Sequence, residues 1–253
     1  MDIKMDWYKA IDKRTSRRTY EGNNISEDKI DGLKKLINEI NNEASLNLQF
    51  IEEGKKVFDN FKSTYGLIKG AKSFIALVGN SNIENVENKI GYYGEFIVLE
   101  ATNLGLGTCW LGGTYDKEAA NSIISLNENE NMYCIIAIGN VQENKSFKEK
   151  LVKGIFKNRK SFDKIFITEE KDLKGWVKSG MDAVIKAPSA INKQPWLFNL
   201  IDNKISVTYE KENTGYEKID VGISMAHFEL GTKNEGINGK WHFAQNENTF
   251  FNL

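Results

Sequence analysis

Proline is nearly missing from this chain: 253 residues contain two, Pro188 and Pro195, and both fall in the stretch APSAINKQPW, residues 187–196. Each fixes its own φ and pushes the residue before it out of the helical region, so the segment is expected to leave a helix and stay extended as a rigid loop. Cysteine is equally scarce. Cys109 and Cys134 both lie in apolar runs, a placement that favours buried reduced thiols over a disulfide framework. His227 and His242 are the only histidines; without a Cys/His cluster no metal site is expected. No apolar run approaches the ~20 residues that span a bilayer. The start, MDIKMDWYKAIDKRTSRR, is charged where a secretory leader needs a continuous apolar core. A cytoplasmic protein without membrane contact is therefore expected. Net charge is lacking too: 34 Lys and Arg face 35 Asp and Glu, so no global field draws nucleic acid. Any anion binding must be local.

What the chain does contain is a repetition, at a spacing near half its length. ISEDKIDGLKKLI from Ile25 resembles ITEEKDLKGWVKS from Ile167: a Ser or Thr cap, acidic residues in the first turn, then apolar positions at helical spacing. Both read as helix starts. FIALVG from Phe74 and KISVTYE from Lys204 are short β-rich runs that read as strands. Each is followed by a long segment read as amphipathic, GYYGEFIVLEATNLGLGTCW from Gly91 and VGISMAHFELGTKNEGINGKW from Val221, closing on Trp110 and Trp241. Gly105 and Gly236 stand where a helix C-terminus needs a left-handed residue. The order helix, helix, strand, helix, strand in each half predicts α+β or α/β layers rather than a sandwich or a helical bundle, with a first half at 1–165 and a second at 166–253. The first half ends in a basic connector, ENKSFKEKLVKGIFKNRKSFDK, residues 143–164, which reads as a solvated linker or an anion-binding arm.

Three stretches break the repetition. In KRTSRRTYEG, residues 13–22, Arg14, Ser16 and Arg18 alternate, so an extended segment points them the same way and offers guanidinium forks and a hydroxyl to a phosphate. A solvated basic turn is the plainer meaning of such a run. The proline loop is the second: Ser189 and Asn192 are short polar groups on a preset backbone, suited to reading a flat heterocycle or a polyol, although the same letters also make an ordinary helix-to-strand turn. The third, GLGTCWLGG, residues 105–113, imitates a dinucleotide fingerprint. That fingerprint must follow a strand and open a helix, and here it closes one, so a Rossmann site is rejected. Gly112 and Gly113 still permit close approach of backbone amides to a ligand.

Taken in order, the Arg14-x-Ser16-x-Arg18 start, the ATNLGLGTCWLGG helix end, the IIAIG strand, the basic KNRK tail and the PSAINKQPW loop resemble the nitroreductase superfamily of FMN-dependent enzymes across nearly the whole chain. The resemblance implies a nitroreductase-like α+β fold of two intertwined halves, a pseudo-dimer in one chain acting as a monomer. It implies that Arg14, Ser16, Arg18, Lys157 and Arg159 hold the FMN phosphate and that Leu111, Gly112 and Gly113 lie near the reactive N5 edge. Pro188, Ser189, Ala190 and Asn192 then play the part a partner subunit plays in the family. The Arg cluster exists only in the first half and the proline loop only in the second, so one FMN per chain is expected. Family members often place Asn and Lys before the strand at Phe74; here Thr64 and Leu67 align there, with Lys69 and Lys72 nearby. The implied activity is ping-pong transfer of hydride from NAD(P)H through FMN to a nitroaromatic, a quinone or another flavin, without a catalytic side chain. Tyr92, Tyr93 and Trp196 are acceptor-pocket candidates, with core the plainer role. A non-catalytic flavin-binding or redox-sensing protein and a cofactor-free descendant remain alternatives.

Overall fold

The computed structural model describes residues 1–59, 66–144, 158–170, 172–201, 204–244 and 248–252, with side chains up to Phe250. Its elements run α1 (Met5–Lys13), α2 (Glu27–Ala44), β1 (Gln49–Ile51), α3 (Lys56–Asp59), β2 (Ser73–Asn80), α4 (Val86–Asn103), β3 (Gly107–Leu111), α5 (Lys117–Asn121) and β4 (Glu130–Gly139). They continue with α6 (Phe162–Ile165), β5 (Phe166–Thr168), α7 (Gly175–Ile185), a 3-10 turn (Ala190–Asn192), β6 (Trp196–Ile201), β7 (Lys204–Tyr209), α8 (Glu217–Asn234), β8 (Gly239–His242) and β9 (Asn248–Asn252). The expected α+β class is what the chain adopts.

The described residues group into two compact units, one drawing on Met1, Lys13–Ile83 and Ile97–Phe156, the other on Asp2–Asp12, Glu84–Phe96 and Lys157–Leu253. In the first, the sheet order is β1-β2-β4-β3, antiparallel throughout. Helix α2 shows how the sequence builds it. Ser26 stands at the N-cap in extended conformation, Glu27 and Asp28 occupy the first turn, and Ile30, Leu33, Leu36, Ile37 and Ile40 form one buried stripe. Acidic groups favour the positive end of the helix dipole, and each buried aliphatic contributes about 1.5–3 kcal/mol. The helix ends at Ser45 in the left-handed region, φ 56°. One face of the sheet packs Phe74, Ala76, Val78, Ile135 and Ala137 against Tyr20, Val57, Phe58 and Tyr115. Cys109 and Cys134 are both buried, as their apolar surroundings suggested.

In the second unit the order is β5-β6-β7-β9-β8. Strand β5 joins β6 in parallel, and the other pairings are antiparallel. The repetition seen in the sequence thus returns as topology: β6-β7-β9-β8 reproduces β1-β2-β4-β3, each with a long helix between its second and third strands in chain order. Gly105 and Gly236 have φ 74° and 78°. Leu106 N–H donates to Ala101 O at 2.8 Å and Ile237 N–H to Thr232 O at 3.2 Å, the same helix-ending bond at equivalent places. An aromatic cluster fills this unit, Phe228 lying 5.4 Å from Phe198, 5.7 Å from Trp241 and 5.3 Å from Phe250 between ring centroids.

Two expectations need correction. ITEEKDLKGWVKS does not begin a helix at its Thr: Phe166–Thr168 is strand β5, Thr168 Oγ1 accepts from Glu170 N–H at 3.0 Å in a local turn, and α7 starts at Gly175. A threonine hydroxyl caps a turn as readily as a helix, and the pairing with β6 decides. Nor are the two long helices amphipathic. Ile90–Leu99 of α4 and Ile219–Thr232 of α8 are buried on every side, so neither keeps a solvent face.

Between these helices the second unit has a backbone-to-backbone contact with a particular symmetry. A Cβ on Gly91 would lie 2.0 Å from Ile219 O, and one on Gly222 would lie 2.0 Å from Asn88 O. The offset from Gly91 to Gly222 equals that from Asn88 to Ile219 and from Gly105 to Gly236. The contact is therefore reciprocal, each glycine admitting the equivalent carbonyl of the other helix. At the same offset, Glu87 and Lys218 pair with each other at 3.3 Å.

Candidate functional site

The first candidate segment follows α1. Ser16 bridges Thr108 of β3 in parallel, with Arg17 N–H donating to Thr108 O at 2.8 Å. Thr19 bridges Lys69, with Tyr20 N–H bonded to Lys69 O at 2.8 Å and Lys69 N–H to Arg18 O at 2.9 Å. These bonds fix Ser16 and Arg17 beside Thr108 of β3 and Arg18 to Tyr20 beside Lys69. Arg17 is buried, its guanidinium donating to Gln142 O at 2.9 Å, while Arg14, Ser16 and Arg18 remain partly exposed. Arg17 is the one buried residue between Arg14 and Thr19, which separates this structural arginine from the three residues singled out in the sequence, but Thr15 and Thr19 are partly exposed too, so no strict alternation runs through the segment. The structure brings this trio beside the strand that ends at Leu111 and leads into Gly112 and Gly113. Two guanidinium groups and a hydroxyl in one short segment fit a phosphate dianion.

The second candidate is the proline loop. It leaves α7 at Lys186 but does not remain extended: it turns through a 3-10 segment in which Ile191 and Asn192 have φ 42° and 58°, followed by Gln194 at 50°. Each proline restrains only its own φ and its predecessor, so the residues between were free to turn. Side chains then lock the turn. Gln194 N–H donates to Ser189 Oγ at 2.9 Å, and Asn192 Nδ2 and Gln194 Nε2 donate to Asn158 O at 2.7 and 3.2 Å. Lys160 N–H donates to Gln194 Oε1 at 2.9 Å, and Arg159 donates to Ala187 O at 2.5 Å and to Lys186 O at 3.3 Å. On the outer side Lys193 Nζ lies 3.0 Å from Glu212 Oε2; Lys193, followed by nearby Lys160, holds that carboxyl below its usual range.

The basic tail and the loop are therefore one assembly, although the sequence assigned them separate tasks. Arg159 spends guanidinium donors on loop carbonyls. Lys157 and Thr64 lie outside the described residues. Leu67 is exposed, and Lys72 Nζ donates to Asn24 Oδ1 at 3.2 Å. Tyr92, Tyr93 and Trp196 are all buried, Tyr92 Oη donating to Glu229 Oε2 at 2.6 Å. Trp196 leaves its buried indole N–H without an acceptor among the described residues.

Several buried polar groups escaped the sequence reading, Asp220, Glu95 and His227 among them. His227 Nδ1 faces Ala183 O at 2.9 Å, and Nε2 faces Glu95 Oε1 at 3.0 Å. A carbonyl only accepts, so Nδ1 carries hydrogen. Asp220 accepts Ala190 N–H at both carboxylate oxygens, 3.0 and 3.1 Å. A signal for them was available: titratable residues in α4 and α8, on segments otherwise apolar enough to be core.

Burial pushes the Asp220 carboxyl up from 3.8 to about 8; the Ala190 N–H pulls it down and Glu217 pushes it further up. Burial also works to raise Glu217, but its own N–H and those of Thr214 and Glu212 outweigh this and hold it below the usual range. Between pH 4 and 8, roughly, folded Asp220 keeps a proton that the unfolded chain has lost. Stability should fall as pH rises through that window, by up to about 1.4 kcal/mol per pH unit. Its contribution is complete below the unfolded value and gone above the folded one. Asp220→Asn does not titrate, so urea midpoints at pH 5 and pH 8 should lie closer together in this variant than in wild type. Equal spacing in both would exclude the buried acid as their cause.

No helix of the described residues is long and apolar enough to cross a membrane, and no metal-ligand cluster exists among them. No curated protein sequence matches the chain. Among solved structures, a Thermotoga maritima protein described as a putative nitroreductase is similar with a TM-score of 0.61 and 18% identity, over 99% of this chain and 95% of that one. An FMN-dependent nitroreductase of Clostridium difficile is similar over 54% of this chain and 88% of its own, with 21% identity and a TM-score of 0.45. The sequence profile of a family described as "Putative TM nitroreductase" matches residues 6–232. With most of its length under that match, and with the fold of the Thermotoga protein, the chain belongs to this nitroreductase family.

Proposed function

We propose that the protein is an FMN-dependent oxidoreductase that takes hydride from NAD(P)H and delivers it to an organic acceptor such as a nitroaromatic or a quinone. The carrying observation is the basic segment after α1: Arg14, Ser16 and Arg18 partly exposed, with Ser16 bridged to β3 and Arg17 buried. Family membership makes a flavin phosphate the anion of choice. In this reading Arg14, Ser16 and Arg18, with Lys157 and Arg159, bind the phosphate. The backbone at Leu111, Gly112 and Gly113 lies near N5, and Pro188, Ser189, Ala190 and Asn192 meet the ring. The two donors that Arg159 gives to Ala187 and Lys186 favour its acting on the loop's shape as well. Bound FMN supplies two-electron hydride chemistry; the chain binds and orients it and excludes water. No nucleophilic side chain is required.

The reciprocal glycine contact supports reading residues 1–165 and 166–253 as fused halves of a pseudo-dimer, because equivalent residues meeting each other is the mark of a two-fold interface. With one basic segment of this kind and one proline loop, the chain is assigned a single FMN.

Titrating FMN into the purified chain should give saturation at one flavin per chain, and anaerobic NADH or NADPH should then bleach the visible flavin absorption. Saturation without bleaching by either nucleotide would instead mark a flavin-binding protein without nicotinamide activity. No uptake of FMN would defeat the assignment altogether.

A further inference from the structure

We propose that Asp220 is the positioning residue of the proline loop, its carboxyl group holding Ala190 N–H and so fixing the left-handed turn in which the loop meets FMN. The inference rests on the flavin assignment above and adds to it a residue from outside the loop. Three observations carry it. First, Ala190 N–H, at the start of the turn, reaches both carboxylate oxygens at 3.0 and 3.1 Å, and Asp220 is 3% exposed. Second, the turn needs holding. Ile191, Asn192 and Gln194 all have φ between 42° and 58°, and a β-branched residue there is the least tolerated of all. Ile191 is also 61% exposed, so burial of its side chain does not stabilise the strained conformation. Such geometry persists only where surrounding bonds over-determine it.

Third, the chain contains its own comparison. The offset that relates Gly91 to Gly222 places Lys89 of α4 opposite Asp220 of α8. Both sit in a first turn, Lys89 N–H bonded to Asn85 O and Asp220 N–H to Tyr216 O. The half that lacks the prolines has Lys89, and the half that has them has Asp220. A long helix of this kind therefore does not itself demand a carboxylate at this turn. The loop does.

The test compares FMN affinity, by quenching of flavin fluorescence, and the position of the visible flavin band in wild type, Asp220→Ala, Asp220→Asn, Ala190→Pro and the Asp220→Ala/Ala190→Pro double variant. Asp220→Ala should bind FMN at least about tenfold more weakly, with the band moved toward that of free flavin. Asp220→Asn retains one acceptor for Ala190 N–H and should restore affinity to within about threefold of wild type. Ala190→Pro deletes the donor while leaving the carboxyl in place. If both changes break one bond, the double variant should be no weaker than the weaker single variant. Wild-type affinity in Asp220→Ala, an Asn variant as weak as the Ala variant, or losses that multiply in the double variant would each overturn the proposal. Should Asp220→Ala not fold, Ala190→Pro decides: a tenfold loss supports the bond and wild-type affinity overturns it. A wild-type chain that takes up no FMN overturns the flavin assignment and this proposal with it, whereas a binding wild type with an indifferent Asp220 overturns this proposal alone.

Discussion

Replacing both Arg14 and Arg18 with alanine should release FMN while leaving the flavin-free protein folded. A hydrogen bond to a charged group contributes about 1.5–3 kcal/mol, so losing two corresponds to roughly 10²- to 10⁴-fold weaker binding. The fold should survive because the backbone bonds from this segment to Thr108 and Lys69, and the Arg17 bond to Gln142 O, remain in the double variant. Thermal unfolding of the apoprotein is the control, and flavin retained after dialysis is the measurement. A double variant that stays fully yellow would remove the basic segment from the phosphate assignment. Arg17→Ala should do the opposite, lowering stability by losing a buried guanidinium and its bond to Gln142 O.

The second large effect concerns packing. Gly222→Ala would set a methyl group 2.0 Å from Asn88 O, 2.7 Å from Tyr92 N and 2.9 Å from Asn88 C. All three obstacles are backbone atoms, so no side chain can swing aside. The helices would have to move apart where α4 and α8 are buried on every side, straining the Tyr92–Glu229 and Asn88–Lys218 bonds. Overpacking a core typically costs about 1–3 kcal/mol and sometimes more; with only backbone to displace, about 4 kcal/mol or outright failure to fold is expected. Reciprocity sharpens the prediction. Gly91→Ala meets Ile219 O at the same 2.0 Å and should lose a similar amount by urea denaturation. Two soluble variants with near-native midpoints, or one variant far worse than the other, would contradict the contact as described.

These features differ in how openly the sequence displays them. Strands β2 and β7, helix α2 and the helix ends at Gly105 and Gly236 follow from local pattern: β-rich runs, an apolar stripe at helical spacing, a glycine at the left-handed position; the Ser26 side chain, expected to cap α2, makes no cap bond. The grouping of Arg14, Ser16 and Arg18 was visible in the letters, but the alternation expected of an extended backbone is not what the structure shows, since Thr15 and Thr19 are partly exposed as well. Strand β5 was not legible, because Phe166–Thr168 is too short to carry a pattern and exists through its pairing with β6. Asp220 was hidden differently. Its task is set by a loop 30 positions away in the chain, and a lone carboxylate in a helical run ordinarily reads as solvated surface. The turn at Ile191 was hidden most deeply, since nothing in a β-branched residue announces positive φ.

The glycine-to-carbonyl contact of α4 with α8 has a consequence for behaviour at low abundance. Both helices belong to one polypeptide, so forming the contact is a first-order event, and its strength is set by chain connectivity rather than by encounter between molecules. Dilution therefore does not weaken this contact, whereas the same contact made between separate chains would come apart. A cell holding only a few copies would keep this part of every one intact.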